Sequence, residues 1–317
     1  MNIPLKPLDQ QVIVITGASS GIGLATAVAA AQKGARLVLA ARSKHTLDGI
    51  AHRIAPQEGE KRVVTVEADV GDRQQVDAIA EAALAHFGRI DTWVNNAGVS
   101  IYGRLDEVGM EDSRRMFDVN FWGVVYGSLA ALPHLRANGG ALINLGSEAS
   151  EATIPLQAMY SATKHAVKAF TEGLRMELEV DGAPVSITLI QPTAVDTPYP
   201  EHAGNYLDQE PKLPTPMIEP EKVAAAILDA ATSHTRDVRV GVMSKLNTTL
   251  AKLVPPVAEA MAKMQMGRQQ REEAPHAREG TLYRPGESGR IHGRGNENAA
   301  DPKMAKASNT REMGKVS

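Results

Sequence analysis

The sequence of 317 residues contains no cysteine. Disulfides, cysteine nucleophiles and thiolate metal sites are therefore excluded, and a reducing compartment such as the cytoplasm is the expected location. Aromatic residues are scarce, at 4%, whereas hydrophobic residues of all kinds reach 43% and many are alanine. A substantial core must then be built from small side chains, as when alanine-rich helices pack closely on a sheet. No run approaches the roughly 18 consecutive apolar residues of a membrane span, so no transmembrane segment is expected. Residues 1–11 lack the apolar stretch of a signal peptide. A formal charge of −3 gives no chain-wide basic surface for nucleic acid. No dense cluster of ligating side chains stands out, and no metal is expected.

What is present is a regular alternation. Short, nearly continuous apolar runs at 12–16, 36–40, 63–68, 92–95, 141–145, 185–190 and 238–240 read as strands covered on both faces. Helical patterns fill the gaps at 22–33, 46–54, 74–86, 110–135, 160–180 and 221–232. This alternation predicts an α/β fold with a doubly wound, seven-stranded parallel sheet flanked by helices over residues 1–244. A helical extension is expected at 245–271. Its stripe of Leu250, Leu253, Val254, Val257, Met261 and Met264 is interrupted by Pro255-Pro256, which predicts a kink or two shorter helices. The stripe suits packing against the body or a second subunit; a lid over an apolar substrate and a membrane-surface helix are the alternatives. Beyond it, residues 272–317 read as a mostly disordered tail, poor in large apolar residues except at Leu282-Tyr283-Arg284-Pro285.

Two constellations carry chemistry. The first is Thr16-Gly17-Ala18-Ser19-Ser20-Gly21-Ile22-Gly23, between the first strand and the first helix. Gly17 permits a tight turn, Gly21 allows a pyrophosphate to approach the backbone, and Gly23 lets helix and strand pack closely. Free N–H groups at the helix start favour phosphate, and Ser19 and Ser20 add hydroxyl donors. The second strand ends without the acidic residue that reads a free ribose 2′-hydroxyl. Arg42 stands there instead, with Ser43, and can clamp a 2′-phosphate. NADP(H) is thus the expected cofactor and NAD(H) the lesser alternative; Arg42 as a merely solvated residue is the bland one.

The second constellation is Tyr160 and Lys164, four residues apart on one helical face. An ammonium near a phenol lowers the phenol's pKa from about 10 towards the range of a general acid and base. Ser147, just past a strand's carboxyl end, can hydrogen-bond a carbonyl; alternatively it is a loop hydroxyl. Asn120 sits in an apolar pattern, where a buried amide needs partners or else bonds its own helix.

Together these motifs resemble the short-chain dehydrogenase/reductase family, in its single-domain form, over residues 12–241. Asp69-Val70, Asn95-Asn96-Ala97-Gly98 and the thirteen-residue interval from Ser147 to Tyr160 add to the resemblance. It implies that Tyr160 exchanges the proton, Ser147 positions the carbonyl, and Lys164 binds the nicotinamide ribose and depresses the Tyr160 pKa. Asn120 would hold a water of a proton relay. Asp69 would contact adenine, with Val70 lining its pocket, while Asn96, Ala97 and Gly98 line the cofactor and Asn95 braces the sheet. Pro192, Val195 and Thr197 would flank nicotinamide, although Thr193 stands where the family usually has glycine. The activity implied is hydride transfer between NADP(H) and an alcohol or carbonyl. The alternatives are an NAD-dependent alcohol dehydrogenase of the same fold and a non-catalytic dinucleotide-binding protein. A homodimer or homotetramer through the helices at 110–135 and 160–180 is also implied. The segments 100–104, 149–159 and 199–217 would shape a partly apolar substrate pocket.

Overall fold

The computed structural model describes residues 3, 5–57 and 59–294. Seven strands form one parallel sheet: β1 (Val12–Thr16), β2 (Arg36–Ala41), β3 (Val63–Glu67), β4 (Thr92–Asn95), β6 (Gly140–Leu145), β7 (Val185–Pro192) and β9 (Asp237–Val240). Their order is β3-β2-β1-β4-β6-β7-β9. Every residue of β1, β4, β6 and β7 is buried, including the polar Ser186, Thr188 and Gln191 of β7. Strand order reverses between β1 and β4, and that reversal opens a crevice at their carboxyl ends.

One face is covered by α1 (Gly21–Gln32), α2 (Lys44–Ile54) and α8 (Pro220–Thr232), whose apolar side chains share a core with Ile13, Ile15, Leu37 and Ile143. The other face carries α3 (Arg73–Phe87), α4 (Met110–Phe117), α5 (Gly123–Asn138) and α6 (Ala158–Val180), packed on Val14, Val38, Trp93 and Leu142. Local chemistry sets the ends of these helices. Asp72 accepts the Gln74 N–H at 2.9 Å to start α3, and Gly88, at φ 72°, closes it.

The helix expected at 110–135 is interrupted. Asp118–Trp122 forms a π-helical turn between α4 and α5, and Asn120 lies in it. A widened turn of this kind recurs at functional sites. A small second sheet pairs β5 (Ile101–Tyr102) with β8 (Gly204–Asn205), close to a short helix α7 (Tyr199–His202); the runs are too short to announce themselves in sequence. The extension is two helices, α9 (Val242–Leu253) and α10 (Pro255–Gln265), divided at Pro255. Among the described residues, no helix is long and apolar enough to cross a membrane.

The expected disordered tail is placed quite differently over 272–294. Leu282 is 1% exposed and packs among the core side chains beneath α3 and α4. Residues 295–317, the rest of that tail, lie outside the described residues.

Candidate active site

Two connected cavities occupy the crevice. The smaller, about 190 Å³, is floored by Gly17 and Ser19–Ile22 and walled by Arg42, Ser43, Asp69, Val70 and Asn96–Gly98. The larger, about 600 Å³, holds Ser147, Tyr160, Lys164, Pro192 and Val195. Ile22, Asn96, Gly98, Thr197 and Tyr199 line both.

The glycine turn is built for close approach. A Cβ on Gly17 would stand 2.7 Å from the Ala97 Cα, and one on Gly23 would collide with the Gly17 carbonyl. The turn is held from across the sheet: the Asn96 side chain donates to the Thr16 and Gly17 carbonyls at 2.9 and 3.1 Å. Thr16 Oγ1 accepts the Asn96 and Ala97 N–H groups. Ser20 is the N-cap of α1, yet its side chain makes no capping bond. A backbone-floored groove beside an uncapped helix start suits the pyrophosphate of a dinucleotide, so the residues present fit such a cofactor.

Arg42, at the end of β2, lines the smaller cavity as expected of a 2′-phosphate reader. Its guanidinium donates to the carbonyls of Thr281 at 2.5 Å and Leu282 at 3.1 Å. Ser43 is occupied in capping α2 through the Thr46 N–H and hydroxyl. The Asp69 carboxylate pairs with Arg115, a partner the sequence did not disclose, and accepts the Gly71 N–H. Val70 fills the space beside Gly123. Thr197 sits against Gly21, and Val195 bridges to Ile218.

In the larger cavity Tyr160 and Lys164 come from the first turns of α6, and Ser147 follows β6 directly. Lys164 Nζ lies 5.7 Å from the Tyr160 ring centroid and donates to the Leu145 carbonyl at 2.8 Å. Burial lowers the Lys164 pKa to about 8. Burial also pushes the Tyr160 phenol above its ordinary value, against hydrogen bonds with Ser147 and Tyr199. The downward shift expected from the lysine is thus not what this geometry produces: the ammonium is spent on a carbonyl, and loss of water dominates. The Tyr199 ring meets Tyr160 edge-on at 5.7 Å, and its hydroxyl donates to Gln157 Oε1 at 2.9 Å.

Asn120 is fully buried. It accepts the Val99 N–H at 2.8 Å and donates to the Val99 carbonyl and Thr163 Oγ1 at 2.9 and 3.1 Å. Its side chain therefore ties the loop after β4 to α6, and every polar atom of the amide has a protein partner. Asn95 likewise braces the sheet, donating to Asn144 and Ser128.

Sequence reasoning missed Glu148. Burial raises its pKa, and it accepts from Thr193 Oγ1 at 3.0 Å and from Asn247 Nδ2 at 3.1 Å. Thr193 thus has a use: it joins the loop after β7 to a carboxyl beside Ser147, and Asn247 ties in the extension. Adjacency to Ser147 was the available signal. Burial alone would raise Glu151, but Lys252, Gln191 and Arg239 together hold it at about 2. Through these ties α9 and α10 roof the larger cavity with Leu250, Pro255 and Met261. Among the described residues, Glu219, Glu221 and His292 could together approach one cation, but none lines either cavity.

Comparison with known proteins agrees with this geometry. The family model for short chain dehydrogenase matches residues 11–205. The uncharacterized oxidoreductase YxnA of Bacillus subtilis is 46% identical over 289 residues, which span 90% of this chain and 81% of that one. The alcohol dehydrogenase of the archaeon Thermococcus sibiricus, solved with 5-hydroxy-NADP, superposes with a TM-score of 0.64 at 30% identity, covering 73% of this chain and 95% of its own. A short chain dehydrogenase/reductase from Burkholderia phymatum, solved with NAD, gives 0.68 at 25% identity, covering 86% and 100%. The chain is an oxidoreductase of the short-chain dehydrogenase family, with the nicotinamide dinucleotide site of that family.

Proposed function

We propose that the protein interconverts an alcohol and a carbonyl with NADP(H), NAD(H) being the lesser alternative. The observation that carries this reading is that Ser147, Tyr160 and Lys164 share one cavity, continuous with the glycine-floored groove. Gly17–Gly23, Asp69, Val70 and Asn96–Gly98 would hold the dinucleotide, with Pro192, Val195 and Thr197 at its nicotinamide end. The cofactor, when bound, supplies or accepts the hydride.

This chain's residues do the rest. Ser147 hydrogen-bonds the carbonyl oxygen and orients it. Tyr160, whose burial favours the protonated phenol, gives its proton to that oxygen in the direction of reduction. Tyr199, its ring edge-on to Tyr160 and its hydroxyl held by Gln157 Oε1, fixes the position of the phenol. Lys164 holds positive charge beside the phenol, ready for a ribose hydroxyl. Asn120 keeps the loop after β4 and the helix bearing Tyr160 in register, a positioning role in addition to the water-holding one implied by resemblance. Preference for the 2′-phosphate rests on Arg42 standing where an acidic residue would otherwise read the ribose.

The larger cavity takes a predominantly apolar substrate, because the extension contributes Leu250, Ala251, Ala258 and Met261 to its wall. A homo-oligomer is supported by exposed apolar residues on the helices named for it: Met110, Trp122, Leu129 and Met176 are 61%, 44%, 40% and 57% exposed.

The test is a panel of apolar aldehydes and ketones with NADPH deuterated at the transferable position. Deuterium on the carbinol carbon of the product is the expected result. Oxidation of NADPH with no label in any product, or no reaction with either dinucleotide across the panel, refutes the reading.

A further inference from the structure

The chain returns to the dinucleotide groove at its far end. Gly280, at φ +54°, is pressed so closely on the Ala203 carbonyl that a Cβ has no room. Thr281 then donates its N–H to the His202 carbonyl at 2.8 Å, and Leu282 is buried. The Tyr283 hydroxyl donates to Asp112 at 2.7 Å. Further on, the Arg290 side chain pairs with Glu201 at 2.5 Å, and His292 faces Glu219 and Glu221. Gly293 lies on the backbone of Thr197, where a Cβ would come within 2.5 Å of the carbonyl. Between these anchors, Thr281, Pro285 and Gly286 line the smaller cavity.

The strand of chain does more than pass by. Its carbonyls take up donors placed for the cofactor's anionic groups. Arg42 donates to the carbonyls of Thr281 and Leu282. The Gly21 N–H, at the start of α1, donates to the Arg290 carbonyl at 2.9 Å. A neutral carbonyl is a weaker partner for these donors than a phosphate oxygen. The same segment that closes the groove is therefore held by contacts that a phosphate can replace.

We propose that residues 280–293 form the outer wall of the dinucleotide site, a strap that must lift for a nicotinamide dinucleotide to enter or leave. The inference rests on the proposed cofactor site, and it adds an element that the glycine turn and the catalytic residues do not require. The base of the strap is anchored by the buried Leu282 and by the Tyr283 bond to Asp112, so it stays seated even when a phosphate takes over Arg42. The span through Arg290–Gly293 is the moving part, because its holds lie at the surface or are only partly buried: the Arg290–Glu201 pair, His292 beside Glu219 and Glu221, one backbone hydrogen bond, Ile291 at the core's edge and the fit of Gly293. Cofactor exchange is then slow relative to an open groove, in both directions.

The experiment uses the full chain and two variants that leave the groove's own residues intact. Gly293→Val places a branched side chain against the Thr197 carbonyl and unseats the end of the strap. Glu201→Gln, a near-isosteric change at a half-buried side chain, removes the ion pair with Arg290. NADPH is bound first and its release followed by fluorescence after addition of excess NADP⁺. The expected result is release at least tenfold faster for Gly293→Val and about threefold faster for Glu201→Gln, with association faster as well. Amide hydrogen exchange at Gly21, measured without dinucleotide, should quicken in both. Wild-type release rates in both variants, with the Gly21 amide as protected as before, overturn the strap while leaving the cofactor site standing. Failure of the wild-type chain to bind either dinucleotide overturns the cofactor reading and the strap with it.

Discussion

Replacing Asn120 by alanine separates a structural keystone from a holder of water. The side chain supplies both partners of Val99: it accepts that residue's N–H at 2.8 Å and donates to its carbonyl at 2.9 Å. Val99 is itself buried, so Asn120→Ala leaves two backbone groups without water or protein to replace the amide. Each orphaned group costs about 1–3 kcal/mol, for a loss of about 2–6 kcal/mol. The third bond matters less, since Thr163 Oγ1 still donates to the Tyr160 carbonyl at 2.7 Å. Against a typical total of about 5–15 kcal/mol, such a loss is severe. It corresponds to a fall in melting temperature of about 4–24 °C. Urea unfolding is the assay, because an unchanged slope with a lower midpoint isolates stability from compactness. NADPH binding measured well below the midpoint should be weakened too, as the loop from Asn96 to Ser100 loses its tie. A destabilisation below about 1 kcal/mol would refute this reasoning, and Asn120 would then matter only for chemistry.

Two further outcomes follow from the charges in the site. Lys164 titrates at about 8 in the folded chain, below the ordinary lysine value of 10.5. Its burial penalty is therefore complete below about pH 8 and is relieved as pH rises towards 10.5, where the unfolded chain still holds the proton. Wild type should gain stability on Lys164→Met across that window, and its affinity for NADPH should fall as pH rises through about 8 while the variant stays flat; a stability difference independent of pH would contradict the shift. Arg42→Asp should move the ratio of kcat/KM values from NADPH towards NADH, and an unchanged ratio would remove Arg42 as the 2′-phosphate reader.

The sheet was legible because its strands are covered on both faces, so Val12–Thr16 and Arg36–Ala41 appear as nearly continuous apolar runs. The site was legible in part for a different reason: Gly17, Gly21 and Gly23 are required by backbone approach, and such demands are local. Ser147, Tyr160 and Lys164 were found through their order and spacing, and all three line one cavity. Long-range partners were not readable. Nothing near Asp69 in sequence points to Arg115, and nothing near Glu148 points to Asn247, since each pair is made by the crossing of distant elements. The direction of the Tyr160 shift was misjudged because spacing reveals the lysine but not the burial. The segment 272–294 misled for the same reason: its composition is that of a disordered chain, and the contacts that order it, from the buried Leu282 to the carbonyls bonded by Arg42 and Gly21, are made with distant elements.

The most direct measurement is turnover by Tyr160→Phe with NADPH and the best carbonyl substrate of the panel. Phenylalanine preserves the ring packing against Tyr199 and removes only the hydroxyl beside Ser147. A fall in kcat of about 10²–10⁴, with NADPH affinity nearly unchanged, is the expected result for loss of the proton donor. Turnover within tenfold of wild type would contradict it, and the proton would have to come from elsewhere.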